Sequence, residues 1–493
     1  MLKAVLKLNT ERVIDRIDDR LYSSFIEHMG RAVYTGIYEP EHQTADQDGF
    51  RQDTKELIRP LALSYIRYPG GNFVSGYHWR DGIGPKEKRP VRMELAWQAI
   101  ETNQVGVDEF CAWCDSLGVK PMLAVNMGTG TPGDAAEMLE YCNVADGTTL
   151  SGERRANGYS APHNVRLWCL GNEMDGPWQI CHKTAEEYAR AAHETAKMMK
   201  WIDPSIELVA CGSSGAGMPT FGEWEKTVLR ECWDSVDYLS LHSYYQNNDG
   251  DIMRFLAGDQ EMSDFIDKVA GICAQIGEEK KSDKKIGLSF DEWNVWYHFA
   301  KENKAPEKWT SPRAIEEEAY NYGDALMVAC LMTALINHAD SVKIACIAQL
   351  VNVIAPITTI PGGGCFAQTI YWPFCLFSRY GRGTALKTDG DIPSYACKGH
   401  AAAPYLASSA VLSEDKKSLT LFFVNKSQEE EMRVSLKGIS GKMTGWTLMS
   451  GFAPGARNTV ESQPVVPCER EPVSLDEIML EPASFHVIRV ALA

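Results

Sequence analysis

The 493-residue chain reads as an α/β protein: a (β/α)8 TIM barrel followed by a C-terminal all-β sandwich. Three observations predict this. Short apolar runs begin at Tyr22, Leu63, Lys120, Val165, Ile206, Val236, Ile286 and Val342, which makes eight candidate strands. Helical patterns separate most of them, the alternation that closes a parallel barrel. Past about Tyr380 helical periodicity gives way to short strand-like runs such as Leu419-Thr420-Leu421-Phe422-Phe423-Val424. The expected organisation is an N-terminal strand segment, 1–16, joining the sandwich, a catalytic barrel over 17–379 and the sandwich over 380–493.

The elements follow in order. Met1 to Thr10 alternates apolar and polar residues like an edge strand and lacks the apolar core of a secretory signal. Tyr22 to Ile26 ends on Glu27-His28. A short helix around Asp53 to Leu61 precedes Leu63 to Tyr68, which breaks at Pro69-Gly70-Gly71-Asn72. That break lacks the GxGxxG spacing of a dinucleotide-binding sheet, and no clear helix follows it directly, so an open doubly wound sheet is disfavoured. Helix Val107 to Leu117 stops at Gly118, a residue suited to the left-handed end of a helix. Strand Lys120 to Asn126, helix Asp134 to Cys142 and strand Val165 to Leu170 come next, the last running into Asn172-Glu173. Thr184 caps a helix that Asp203-Pro204 ends near Trp201. Helices at Glu223, Ser263 and Ile315–Asn337 alternate with the remaining strands, of which Ile286 leads to Glu292 and Val342 to Gln349.

Lys plus Arg number 49 against 66 Asp plus Glu, a net charge of −17. This balance argues against nucleic acid and anionic membranes, which reward basic surfaces, and suits a neutral substrate such as a sugar. No run approaches the roughly 18 apolar residues of a membrane span. The 14 cysteines are scattered, mostly in apolar runs, as in a reduced, cytoplasmic protein. Cys111 and Cys114 form a CxxC within a helical pattern, and no second pair completes a zinc set, so helix core is favoured over redox or metal duty.

In a parallel barrel, chemistry gathers at the C-terminal ends of the strands. Those ends carry Glu27, Arg67, Asn72, Asn126, Asn172, Glu173, His242, Tyr244, Glu292, Gln349 and Asn352, edged by Trp97, Trp178, Trp293 and Trp296. Amides and carboxylates can satisfy sugar hydroxyls while aromatic faces cover C–H groups. Two glutamates on separate strands are what glycoside hydrolysis requires. We expect Glu173 to be the general acid/base and Glu292 the nucleophile, with Tyr244 and Arg67 holding Glu292. Structural salt bridges are the alternative for either glutamate alone. His242 and His28 are expected in orienting roles, with no metal and no cofactor. Asp175 and Asp291 read as loop and cap residues.

The runs Ser24-Phe25-Ile26-Glu27-His28, Ile66 to Tyr77, Trp168 to Trp178, Phe290 to Tyr297 and Ala348 to Ile354 resemble glycoside hydrolase family 51, the α-L-arabinofuranosidases. The resemblance implies an exo-acting retaining enzyme releasing terminal L-arabinofuranose from arabino-oligosaccharides, arabinan or arabinoxylan side chains. It implies sugar contacts at Glu27, Asn72, Asn172, Tyr244 and Gln349, with Trp97 and Trp178 bordering the pocket. It also implies a cytoplasmic, metal-independent protein assembling as a homohexamer. Ser243 and the stretch Thr359 to Cys365 are less typical and bear on the rim. The rival readings are another retaining glycosidase, such as a β-xylosidase or endoglucanase, and a sugar-binding protein without turnover.

Overall fold

The structure is a computed structural model that describes residues 1–298 and 306–493. Eight parallel strands close into a barrel: β1 Ser23–Phe25, β2 Tyr65–Tyr68, β3 Lys120–Val125, β4 Leu167–Leu170, β5 Glu207–Ala210, β6 Tyr238–Tyr245, β7 Gly287–Val295 and β8 Val342–Ala348. Closure is made by β8 against β1, with Ile347 paired to Ser24 and Ala348 to Phe25. The strands are buried on both faces, so they appear in sequence as largely apolar runs, with polar residues such as Ser24, Arg67, Ser240 and Asp291 set within them.

The sandwich stacks a seven-stranded sheet on a four-stranded one. The N-terminal segment contributes to both: Leu2–Lys7 lies parallel to Met432–Lys437, and Val13–Arg16 pairs with Thr384–Leu386. Strand period two divides the labour along Ser418–Asn425. Leu419, Leu421 and Phe423 face the four-stranded sheet, whereas Phe422 and Val424 join the barrel core. There Phe377, on the helix Tyr371–Tyr380, stacks on Phe422 with ring centroids 4.1 Å apart.

One helix departs from expectation. The pattern suggested Ile315 to Asn337, but the helix spans Tyr322–Asn337. Asn321 and Asp324 form a reciprocal capping box that sets its start, and residues before it take an irregular path. Every residue from Tyr322 to Ile336 is buried, because this helix lies between barrel and sandwich and is apolar all round.

Candidate active site

The site begins with glycines. A Cβ on Gly71 would lie 2.5 Å from Oε2 of Glu27, and one on Gly70 would lie 2.9 Å from Cβ of Phe73. The Pro69-Gly70-Gly71-Asn72 break therefore lets the loop after β2 close over the Glu27 carboxyl, which accepts the Phe73 N–H at 2.9 Å and the Trp97 indole N–H at 2.8 Å. After β4, Gly171 at φ +88° turns the chain against Met127, and Glu173 follows at φ +45°. A glutamate in left-handed backbone is strained, a condition that recurs where a side chain must be aimed.

On β7 the register shifts between Phe290 and Trp293, three residues there spanning two on each neighbouring strand. This bulge brings the adjacent Asp291 and Glu292 to one guanidinium. Arg67 donates from Nη1 to Glu292 Oε1 at 2.6 Å and from Nη2 to Asn172 Oδ1 at 2.6 Å, and its Nε lies 3.5 Å from Asp291 Oδ2. Tyr244 donates to the other oxygen of Glu292 at 2.8 Å. His242 stands between the acids: Nδ1 is 2.8 Å from Glu173 Oε1 and 3.7 Å from Glu292 Oε2, and Nε2 is 3.2 Å from Asp291 Oδ1. One ligand-type oxygen each of Glu173 and Glu292 lie within 4.8 Å of one another.

The protonation pattern follows from these neighbours. Burial works against a charged His242, but Glu292, Asp291 and Glu173 outweigh it and push the imidazole up to about 10. Burial would raise Asp291, yet Arg67 and His242 hold it below the usual carboxylate range. Glu173 is raised, first by burial and then by the charge of Glu292, against the hydrogen bonds from His242 and Trp178. Burial pushes Glu27 up to about 8, with Glu292 adding to the rise. Arg67 and protonated His242 bring two positive charges to four carboxyls, so the cluster balances when two of the four keep a proton.

The remaining expected residues divide into two groups. Asn72 lies 3.5 Å from the Asn172 amide, and Gln349 accepts the backbone N–H of Glu27 at 3.0 Å. Trp178, 51% exposed at the rim, donates its indole N–H to Glu173 at 2.7 Å. Trp296 packs edge-on to Tyr244 at 4.8 Å. By contrast, Trp293 is fully buried in the core and edges nothing. Asn126 and Asn352 brace loops: Asn126 bonds Tyr77, Gly128, Thr129 and Gly130, and Asn352 bonds Arg31 and Thr359. Asp175 anchors a loop, accepting from Ser213, Ser214 and Thr220. Asp291 is no cap residue but a buried member of the cluster, hinted at in sequence only by two adjacent acids at a strand end. His28 joins Glu101 and Tyr68 at 2.8 and 2.7 Å, an orienting network. Glu173, His242 and Glu292 do bring potential metal-ligand atoms together, which no sequence spacing revealed. Arg67, bonded to Glu292, already supplies positive charge there.

A parallel barrel whose mouth sets two close glutamates among amides and indoles has the form of a glycoside hydrolase. Residues 57–268 match the α-L-arabinofuranosidase 1 domain and residues 291–484 the α-L-arabinofuranosidase C-terminal domain. The chain is 48% identical to an intracellular exo-α-(1→5)-L-arabinofuranosidase of Bacillus subtilis, over 99% of both chains. It is 46% identical to an exo-α-(1→6)-L-arabinofuranosidase of Bifidobacterium longum, over 85% of this chain and 82% of that one. A solved family 51 α-L-arabinofuranosidase from Bifidobacterium longum superposes with a TM-score of 0.94 at 39% identity, over 99% of each chain. The chain belongs to the family 51 α-L-arabinofuranosidases and is a glycoside hydrolase.

Proposed function

We propose that the protein is an exo-acting, retaining α-L-arabinofuranosidase that removes terminal L-arabinofuranose by double displacement. The observation that carries the mechanism is the short separation of Glu173 and Glu292, within 4.8 Å between oxygens. Retaining pairs sit about 5–5.5 Å apart, whereas inverting pairs leave about 6.5–9.5 Å for a water. Glu173, raised by burial, carries the proton and gives it to the leaving oxygen. Glu292, held between Arg67 and Tyr244, attacks the anomeric carbon. Glu173, then ionised, takes a proton from water, which displaces Glu292 and releases arabinose. Asn172, held by Arg67, is oriented toward the hydroxyl beside the anomeric centre. Glu27, Asn72, Gln349, Trp97 and Trp178 complete the sugar pocket.

Arabino-oligosaccharides with α-(1→5) or α-(1→6) links are the natural candidates, because relatives of similar identity are named for each. Arabinoxylan side chains extend the same reading. Among the described residues no helix is long and apolar enough to cross a membrane. With a relative named intracellular, a cytoplasmic homo-oligomer, hexameric as the family resemblance implies, is the reading to carry forward. The test compares an aryl α-L-arabinofuranoside with an aryl β-xyloside and a β-glucan. Turnover of the first alone supports the proposal; turnover of only the others moves the protein to another glycosidase class. Binding without product from any of the three would make it a sugar-binding protein.

A further inference from the structure

The loop after β2 contains a hairpin, Arg92–Glu94 paired with Ala99–Glu101. Its first strand and the residue after it are inside out: Met93 and Leu95 are 57% and 62% exposed, whereas Glu94 between them is 8% exposed. A buried carboxylate flanked by exposed apolar residues reverses the usual partition, so a specific interaction must hold it. Its two oxygens accept two backbone N–H groups, Ala96 on Oε1 at 2.6 Å and Trp97 on Oε2 at 2.7 Å. Among the described residues it makes no ion pair. Arg92 is turned out to Asp81, and Glu101, across the hairpin, is taken up by His28 and Tyr34. Burial pushes the carboxyl up to about 7, with the two N–H groups opposing the rise and Glu101 adding to it.

What this clamp holds is Trp97. Its indole N–H is the one that reaches Glu27, and its carbonyl receives the guanidinium of Arg313. We propose that Glu94 is a positioning residue for the hydrolysis: it fixes the Trp97 backbone so that the indole meets Glu27 at the mouth of the barrel. This rests on the arabinofuranosidase reading above. Glu94 itself need not touch substrate. A glutamine would keep one acceptor and set an NH2 against the second N–H, whereas an aspartate again presents two acceptors, the arrangement common in turns.

The test is steady-state kinetics on an aryl α-L-arabinofuranoside for Glu94→Gln, Glu94→Asp, Trp97→Ala and the Glu94→Gln/Trp97→Ala pair. Glu94→Gln should raise KM about tenfold with kcat within about threefold, and Glu94→Asp should recover most of the loss. In the double variant Glu94→Gln should add less than about twofold, because its effect passes through Trp97. An undiminished effect in the Trp97→Ala background, or wild-type kinetics for Glu94→Gln, would overturn the proposal. Hydrogen exchange of the 92–101 segment reads the clamp independently of turnover. Faster exchange in Glu94→Gln supports the clamp and unchanged exchange refutes it. A wild-type protein inactive on the arabinofuranoside would count instead against the substrate reading.

Discussion

Two buried charge clusters in this molecule are built on opposite terms. Where the sandwich meets the barrel, Lys426, on the turn after Ser418–Asn425, puts its ammonium 2.7 Å from both oxygens of Asp259 on the helix Gly258–Lys280. Lys426 is fully buried and Asp259 is 4% exposed. It is one cation against one anion, and both carboxylate oxygens are used. At the barrel mouth, Arg67 and His242 face four carboxyls, and Arg67 Nε, His242 Nε2 and Asp291 Oδ1 are buried without a well-formed hydrogen bond. A structural pair is satisfied; the catalytic cluster holds excess acid that must keep protons. Burial first, and then the charge of Glu292, raises Glu173; in the proposed mechanism that makes it the proton donor, and the mouth carries an electrostatic tension that the junction lacks.

The sharpest way to break the comparison is to remove one acid from the mouth. If Glu292 is the nucleophile, as proposed, Glu292→Ala should lower kcat by about 10⁴-fold or more while the fold is retained, because a nucleophile acts only in chemistry. Glu173→Ala should cost about 10²–10⁴-fold on poor leaving groups and much less on an activated aryl glycoside, which needs little protonation. Kinetics with two aryl leaving groups, alongside circular dichroism, check both. At the junction the consequences invert. Lys426→Met strands Asp259 and should destabilise the protein by about 3–5 kcal/mol, read in urea unfolding, while kcat of the folded protein is unchanged. Replacing both partners, as Lys426→Met/Asp259→Leu, should restore most of that stability.

A smaller change sharpens the electrostatic argument itself. His242 lowers the pKa of Glu173 by donating to it, so His242→Asn should raise that pKa further. In the proposed mechanism, activity should be lost at high pH as Glu173 loses the proton that the leaving oxygen needs. The basic limb of the kcat pH profile should therefore move to higher pH in His242→Asn, with kcat lowered about tenfold at its optimum. A basic limb that stays in place or moves down would detach Glu173 from His242.

Much of this was legible in the chain. All eight strands appear as largely apolar runs, as parallel strands buried on both faces do, although Ser24, Ser240 and Asp291 lie within three of them. Glu27, Asn172, Glu173 and Gln349 lie just past strand ends, and Arg67, His242, Tyr244 and Glu292 lie in the C-terminal halves of their strands, where a barrel gathers its chemistry, and the structure brings them together. What escaped the sequence depends on local departures from regularity. Asp291 reaches the cluster only because a bulge in β7 breaks strict alternation, and Trp293, beyond the same bulge, turns into the core. Asn126 and Asn352 have the residue type of sugar ligands, but turn geometry spends their amides on backbone groups. Glu94 stands in a loop among exposed apolar residues, where no periodicity marks a buried carboxylate.

The most direct test of the central claim is proton NMR of the first product released from an aryl α-L-arabinofuranoside, recorded before mutarotation. The close pair of Glu173 and Glu292 predicts that α-L-arabinofuranose appears first, by two inversions at the anomeric carbon. A first-formed β-anomer would mean a single displacement by water and would contradict Glu292 as nucleophile.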